Sequence, residues 1–98
     1  MTAYLPKAGD LVWVNFDPQA GREPAGGGPQ MLVICPITRT DRLWGTRIAL
    51  SGTETTGFVM VEQVKSVDWK ARGAAFIEHL PRTLFDDVKA RIATMLDL

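Results

Sequence analysis

Helical periodicity is clearest at one place in this chain, its end. Leu84, Val88, Ile92 and Met95 recur at helical spacing between Thr83 and Leu98, and Phe85 and Leu96 widen the stripe. Most of what precedes is short apolar runs broken by glycine, proline and charge. Short strands followed by one amphipathic helix confine a 98-residue chain to a single domain over residues 1–98, mainly β: a small barrel with a packed C-terminal helix. Thr83 is the expected N-cap, with Asp86 in the acidic slot of a capping box. Asp86 and Asp87 then fall in the first turn, favourably placed against the helix dipole, and Asp87 can pair with Arg91.

The strands are read from alternation and from turn residues. Leu11 to Phe16 alternates, with Val12, Val14 and Phe16 on one face and Leu11, Trp13 and Asn15 on the other. Apolar residues on both faces predict a wall that is also covered from outside, with Trp13 and Trp69 as packing residues and Phe16, Phe58 and Phe85 in the core. Asp17-Pro18 ends this strand, and Gln19 to Pro29 is an open loop holding Gly21, Gly26, Gly27 and Gly28. Further strands are expected at Met31–Ile34, Arg47–Leu50 and Phe58–Val61, the last continuing through Gln63–Val67 past an irregularity at Glu62. Asp68 to Gly73 reads as a polar connection, and Ala74 to Leu80 as a short strand stopped by Pro81.

Composition excludes several classes. Eleven basic and eleven acidic residues give zero formal charge, so contact with nucleic acid requires a local patch rather than a general basic coat. Cys35 is the sole cysteine, which rules out an intrachain disulfide and fits a small buried hydrophobe. No apolar run approaches a membrane span, and the N-terminal residues lack a signal-peptide core, so the expectation is a soluble cytoplasmic protein with no membrane contact. His79 is the only histidine and reads as a structural or surface residue; a two-histidine acid–base pair is impossible within one chain. No cysteine, histidine and carboxylate cluster has metal-ligand spacing, and no phosphate-binding glycine motif is present, so no metal or cofactor is expected.

The remaining chemistry lies in the glycine loop and in scattered cations. Arg22 and Glu23 are adjacent in the loop. Glu23 is a candidate base, and Arg22 and Arg72 are candidate phosphate clamps, since a guanidinium grips phosphate with two parallel hydrogen bonds. An exposed loop pair is also an ordinary solvated contact. Thr38 offers a hydroxyl at a strand end, and equally reads as a turn residue. Arg39, Arg42, Arg47, Lys65, Lys70 and Arg72 make a candidate electropositive surface, diluted by Asp41, Glu62 and Asp68. Trp44, beside Gly45 and among these cations, can stack on an unpaired base or pack in an interface.

Three blocks together resemble the MazF/PemK family of toxin endoribonucleases. They are Gly9–Pro18 followed by Gly21, Glu23, Ala25, Gly26 and Pro29; Pro36-Ile37-Thr38; and Gln63–Gly73. The resemblance implies a small SH3-like barrel with a C-terminal helix, working as a homodimer. It implies metal-independent cleavage of single-stranded RNA at short preferred sequences, and a cognate antitoxin that covers the RNA groove. On the family pattern Glu23 and Thr38 fall on catalytic or substrate-site positions, and Gln63 and Arg72 in the recurring second-half block. Arg22, Arg39, Arg42, Trp44, Lys65 and Arg72 become the expected RNA-binding set.

Two departures from the pattern bear on activity. The family usually carries a catalytic arginine immediately before the proline matching Pro29, and here that position is Gly28. Glycine has no side chain to donate a proton or stabilise charge, so the chain is expected to cut RNA poorly or not at all. The family also has a longer segment, with a further strand, between the parts matching Met31–Ile34 and Pro36–Thr38; here Ile34 meets Cys35 directly. Losing a wall strand would open unpaired edges, so the reading is an omitted segment at this junction. The alternatives from other classes are a protein-binding toxin or inhibitor on the same barrel that cleaves no RNA, and a nucleic-acid-binding module without chemistry.

Overall fold

The computed structural model describes residues 4–15, 31–42 and 44–98, and among these described residues it has seven strands and two α-helices. In order they are β1 (Asp10–Val14), β2 (Met31–Ile34), β3 (Ile37–Thr38), β4 (Arg47–Ala49), β5 (Phe58–Met60), β6 (Lys65–Asp68), α1 (Trp69–Arg72), β7 (Ala74–His79) and α2 (Arg82–Met95). Among the described residues the strands form three ladders, β1–β7, β2–β6 and β3–β5–β4. This is a mixed sheet and helix fold. The chain divides into two compact units, Met1–Val33 with Ser66–His79 and Ile34–Lys65 with Leu80–Leu98. β2 and β3, joined by Cys35 and Pro36 alone, belong to different ladders.

The first unit is built on β1 and β7, which pair antiparallel from Asp10↔His79 to Val14↔Ala74. The register shifts between Leu11, opposite Glu78, and Val12, opposite Phe76, so Ile77 is an extra residue on β7. The expected covering of the Leu11 and Trp13 face of β1 is met at one residue only. Leu11 is buried at 6% exposure, whereas Trp13 stands 72% exposed rather than packed. The outer face of β1 is therefore uncovered at Trp13. β2 likewise turns Met31 and Val33 outward.

The polar connection expected over Asp68–Gly73 is instead a helical turn. The Asp68 carboxylate accepts the Ala71 N–H at 3.3 Å as an N-cap, and Gly73 ends the turn at φ +76°. The irregularity at Glu62 is a 3-10 turn over Val61–Gln63, so Lys65–Asp68 does not continue β5 but pairs with β2. Trp69 is half-buried, as are Phe58 and Phe85; Phe16 lies outside the described residues.

In the second unit β5 is the central strand. Val59 pairs with Ile37 on one side and Ile48 on the other, a β-branched row that suits a pleated sheet. Val59, Val61 and Val88 form the core, with Cys35, Ile48, Leu50 and Ile92 packed on it. Helix α2 supplies Leu84, Val88 and Ile92 at four-residue spacing, while Met95 and Leu96 are exposed. The helix begins at Arg82, one residue before the expected cap. Pro81 occupies the N-cap position and accepts the Phe85 N–H through its carbonyl at 3.0 Å, so Thr83 lies inside the helix and caps nothing. Asp86 and Asp87 are accordingly past the first turn, and Asp86 pairs with Arg82 at 3.3 Å and Lys89 at 3.4 Å. At the far end Asp97 takes φ +58°, and the Leu98 and Asp97 N–H groups close back on Ala93 and Thr94 in a Schellman arrangement.

Candidate functional site

Arg22, Glu23 and Gly28 lie outside the described residues. What the structure does describe is the ground around Thr38, at the end of β3. Thr38 pairs with Phe58 on β5, and its Oγ1 accepts the Thr40 N–H at 3.2 Å. The hydroxyl therefore closes a local turn and keeps its own hydrogen for a further acceptor. Gly57 lies directly behind. Its φ is +139°, and a Cβ there would stand 2.6 Å from the Thr38 carbonyl oxygen and 3.2 Å from Ile37 Cγ2. Only glycine permits that approach, so Gly57 sets the depth of the strand end that carries Thr38.

Arg47 ties Thr38's turn to Trp44. Its Nη1 donates to the Thr40 carbonyl at 2.9 Å, and its Nε and Nη2 each lie 3.2 Å from Glu62 Oε2. The guanidinium also covers one face of Trp44, with Cζ 4.6 Å from the ring centroid. Thr46 Oγ1 donates to Glu62 Oε1 at 2.9 Å, which holds the carboxylate from its other side. Burial pushes the Glu62 carboxyl up, but the Thr46 hydroxyl, its own backbone N–H and Arg47 outweigh that and hold it below the ordinary range. Glu62 is thus a fixed anion rather than a base. Arg47, with a side chain only 8% exposed, is a scaffold residue and not part of a free cationic surface.

Around this network Arg39 and Arg42 are exposed, and Trp44 is 51% exposed with Arg47 on one face. Lys65 is exposed at the start of β6. Arg72 belongs to the first unit, where its Nη1 donates to the Asn15 carbonyl at 3.3 Å and so anchors the end of β1. Cys35 packs beside the core, and burial, then the charge of Glu62, push its thiol up, which disfavours the thiolate. Among the described residues no group of three or more histidine, cysteine and carboxylate side chains is placed to hold a metal, and no helix is long and apolar enough to cross a membrane. The Arg47–Glu62 pair and Gly57 are the site residues that sequence reasoning missed.

Residues 7–96 match the PemK-like, MazF-like toxins of type II toxin–antitoxin systems, and the chain belongs to that family. It is 37% identical over 87 residues to the endoribonuclease toxin MazF of Escherichia coli strain K12, covering 76% of this chain and 78% of that protein. It is 31% identical to the endoribonuclease PemK of Escherichia coli, covering 90% of this chain and 80% of that protein. The alignment with MazF is longer than the share of this chain it takes in, so the relative has residues without a counterpart here. Among solved structures, MazF from Deinococcus radiodurans superposes with a TM-score of 0.75 at 29% identity, covering 97% of this chain and 99% of that one. A MazE–MazF structure from the same organism gives 0.79 at 25% identity, covering 97% and 98%.

Proposed function

We propose that this chain is the toxin half of a type II toxin–antitoxin pair and acts as a metal-independent endoribonuclease on single-stranded RNA, at short preferred sequences. The observation that carries this reading is the family match over residues 7–96, with endoribonucleases among the relatives. In the reaction the RNA 2′-oxygen attacks the adjacent phosphorus and the 5′-oxygen leaves, taking a proton from solvent water as its bond to phosphorus breaks, which gives a cyclic phosphate and a 5′-hydroxyl. Glu23 takes the proton from the 2′-hydroxyl. The Thr38 hydroxyl donates to a phosphoryl oxygen, and Arg22 and Arg72 are phosphate clamps on the bound strand. Arg39, Arg42, Trp44 and Lys65 hold the strand, with a base stacked on Trp44. The chain folds as one domain, a small SH3-like barrel with its C-terminal helix, works as a cytoplasmic homodimer, and is silenced by an antitoxin; MazE–MazF structures among its structural relatives support that partner.

Gly28 makes this chain a slow enzyme. Loss of one transition-state electrostatic contact costs roughly 100–1,000-fold in rate. The test is cleavage of one mixed-sequence single-stranded RNA by this chain and by Gly28→Arg, with chelator present. The expected result is faster cutting by Gly28→Arg, abolished again by Glu23→Ala. If both proteins fold as dimers and neither cuts, the ribonuclease reading is lost, and a protein-directed toxin replaces it.

A further inference from the structure

At the end of the β1–β7 ladder away from Asn15 and Arg72 lies a second cluster. Asp10 and His79 face each other across the strands, and His79 Nδ1 is 2.8 Å from Asp10 Oδ1. The Tyr4 hydroxyl donates to Asp10 Oδ2 at 2.5 Å, and the Lys7 backbone N–H donates to the same oxygen at 3.0 Å. The Asp10 side chain is only 4% exposed, and each of its oxygens is engaged. It therefore presents little carboxylate surface to a visitor. His79 is 75% exposed, and its Nε2 is the ring nitrogen left to meet a ligand.

Rings surround this carboxylate. Phe76 is 44% exposed, with its centroid 5.8 Å from that of Tyr4 and 4.8 Å from that of His79, both tilted. Tyr4, Leu5, Lys7, Asp10, Phe76 and His79 line an open hollow of about 560 Å³. The hollow offers an aromatic face, an apolar side chain, one hydrogen-bonding ring nitrogen and one ammonium. Such a set suits a flat heteroaromatic ring joined to an anion.

We propose that the hollow is a second RNA contact, holding one nucleotide of the bound strand away from the bond that is cut. The base lies against Phe76 and Leu5, its edge or sugar meets His79 Nε2, and its phosphate meets Lys7. Four residue steps separate Asp10 from Val14, about 13 Å along an extended strand. An RNA that contacts both ends of β1 therefore runs the length of that strand. The site rests on the RNA reading given above, and the test separates the two.

Binding is measured by fluorescence anisotropy with a labelled, mixed-sequence, 2′-O-methyl single-stranded RNA, which cannot be cut because the attacking hydroxyl is blocked. Wild type is compared with Phe76→Ala, Lys7→Ala and the surface control Leu98→Ala. Phe76→Ala is expected to weaken binding about 5-fold or more. Lys7→Ala should flatten the slope of log K against log salt by about 0.7, one phosphate's share for a single strand. Leu98→Ala should leave both unchanged. Adenosine 5′-monophosphate should shift the backbone amide resonances of Lys7, Phe76 and His79. Tight RNA binding that is indifferent to both Phe76→Ala and Lys7→Ala overturns this site while leaving the ribonuclease reading standing. No RNA binding by any of the four proteins removes the ribonuclease reading and this site with it.

Discussion

Gly57 offers the sharpest test of the geometry around Thr38, because three glycines of this chain form a graded series. Gly45 takes no left-handed angle, and a methyl group added there would have no heavy atom within 4 Å, so Gly45→Ala should be neutral or stabilise by up to about 1 kcal/mol. Gly73, at φ +76° and ψ 143°, is in a region essentially reserved for glycine but has open space around it. Gly73→Ala should therefore cost backbone strain alone, about 1–3 kcal/mol. Gly57 combines strain at φ +139° with a Cβ 2.6 Å from the Thr38 carbonyl oxygen, and that neighbour is backbone, which cannot swing aside. Overpacking of this kind adds about 1–3 kcal/mol, so Gly57→Ala should cost the most, about 4 kcal/mol. At about 4–8 °C per kcal/mol for a domain of this size, its thermal midpoint should fall by more than roughly 15 °C. Thermal unfolding of the three variants, with urea unfolding as a check, reads the series directly. In the Gly28→Arg background, Gly57→Ala should also lose more cleavage rate than Gly73→Ala, because only the former moves Thr38. A Gly57→Ala protein as stable as Gly73→Ala would mean the close approach is absent in solution, and the positioning argument would fail.

Local pattern makes much of the strand layout legible. Met31–Ile34 and Phe58–Met60 are apolar runs between turn residues, and β7 ends just before Pro81, as that residue requires. Contacts between distant residues leave no such trace. Arg47 and Glu62 lie 15 positions apart and meet because β4 pairs with β5, whose next turn carries Glu62. Asp10 and His79 are 69 positions apart and meet only because the first and last strands are partners. The bulge at Ile77 is invisible in the sequence for the same reason, as is the exposure of Trp13. Thr83 reads as a cap because a threonine three residues before an aspartate is a strong local signal, yet Pro81 already supplies a backbone angle from which the helix can start. Of the residues proposed for chemistry, Thr38 can be found by motif, whereas the glycine that positions it is one of nine in the chain and carries no mark of its own.

Core packing in the second unit predicts that Leu84→Ala, at 4% exposure, loses about 2–5 kcal/mol, whereas Leu98→Ala, at 90% exposure, changes stability by less than about 0.5 kcal/mol; urea midpoints check both. A spectroscopic prediction follows from Tyr4, the only tyrosine. Burial, then the hydrogen bond to Asp10 and that carboxylate's charge, push its phenol up to about 12. A tyrosine free in water is about half ionised near pH 10. The native protein should therefore show almost no phenolate absorbance there, and its unfolded form in urea should show about half of the full signal. The sign is that of a raised group: Tyr4 contributes stability that is complete below its unfolded value near 10 and is lost as pH climbs toward about 12. Asp10 works in the opposite window. Burial raises its carboxyl, but donation from Tyr4, the Lys7 N–H and His79 outweighs burial and lowers it, so its contribution is lost only as pH falls below the ordinary carboxylate range. Asp10→Asn removes the charge yet leaves Tyr4 partly buried, so the phenol should titrate between the free value and that of the wild type. Native Tyr4 ionising at pH near 10 in the intact protein would mean that the hydroxyl meets water rather than Asp10, and the second RNA contact would lose the Tyr4–Asp10 bond from its lining.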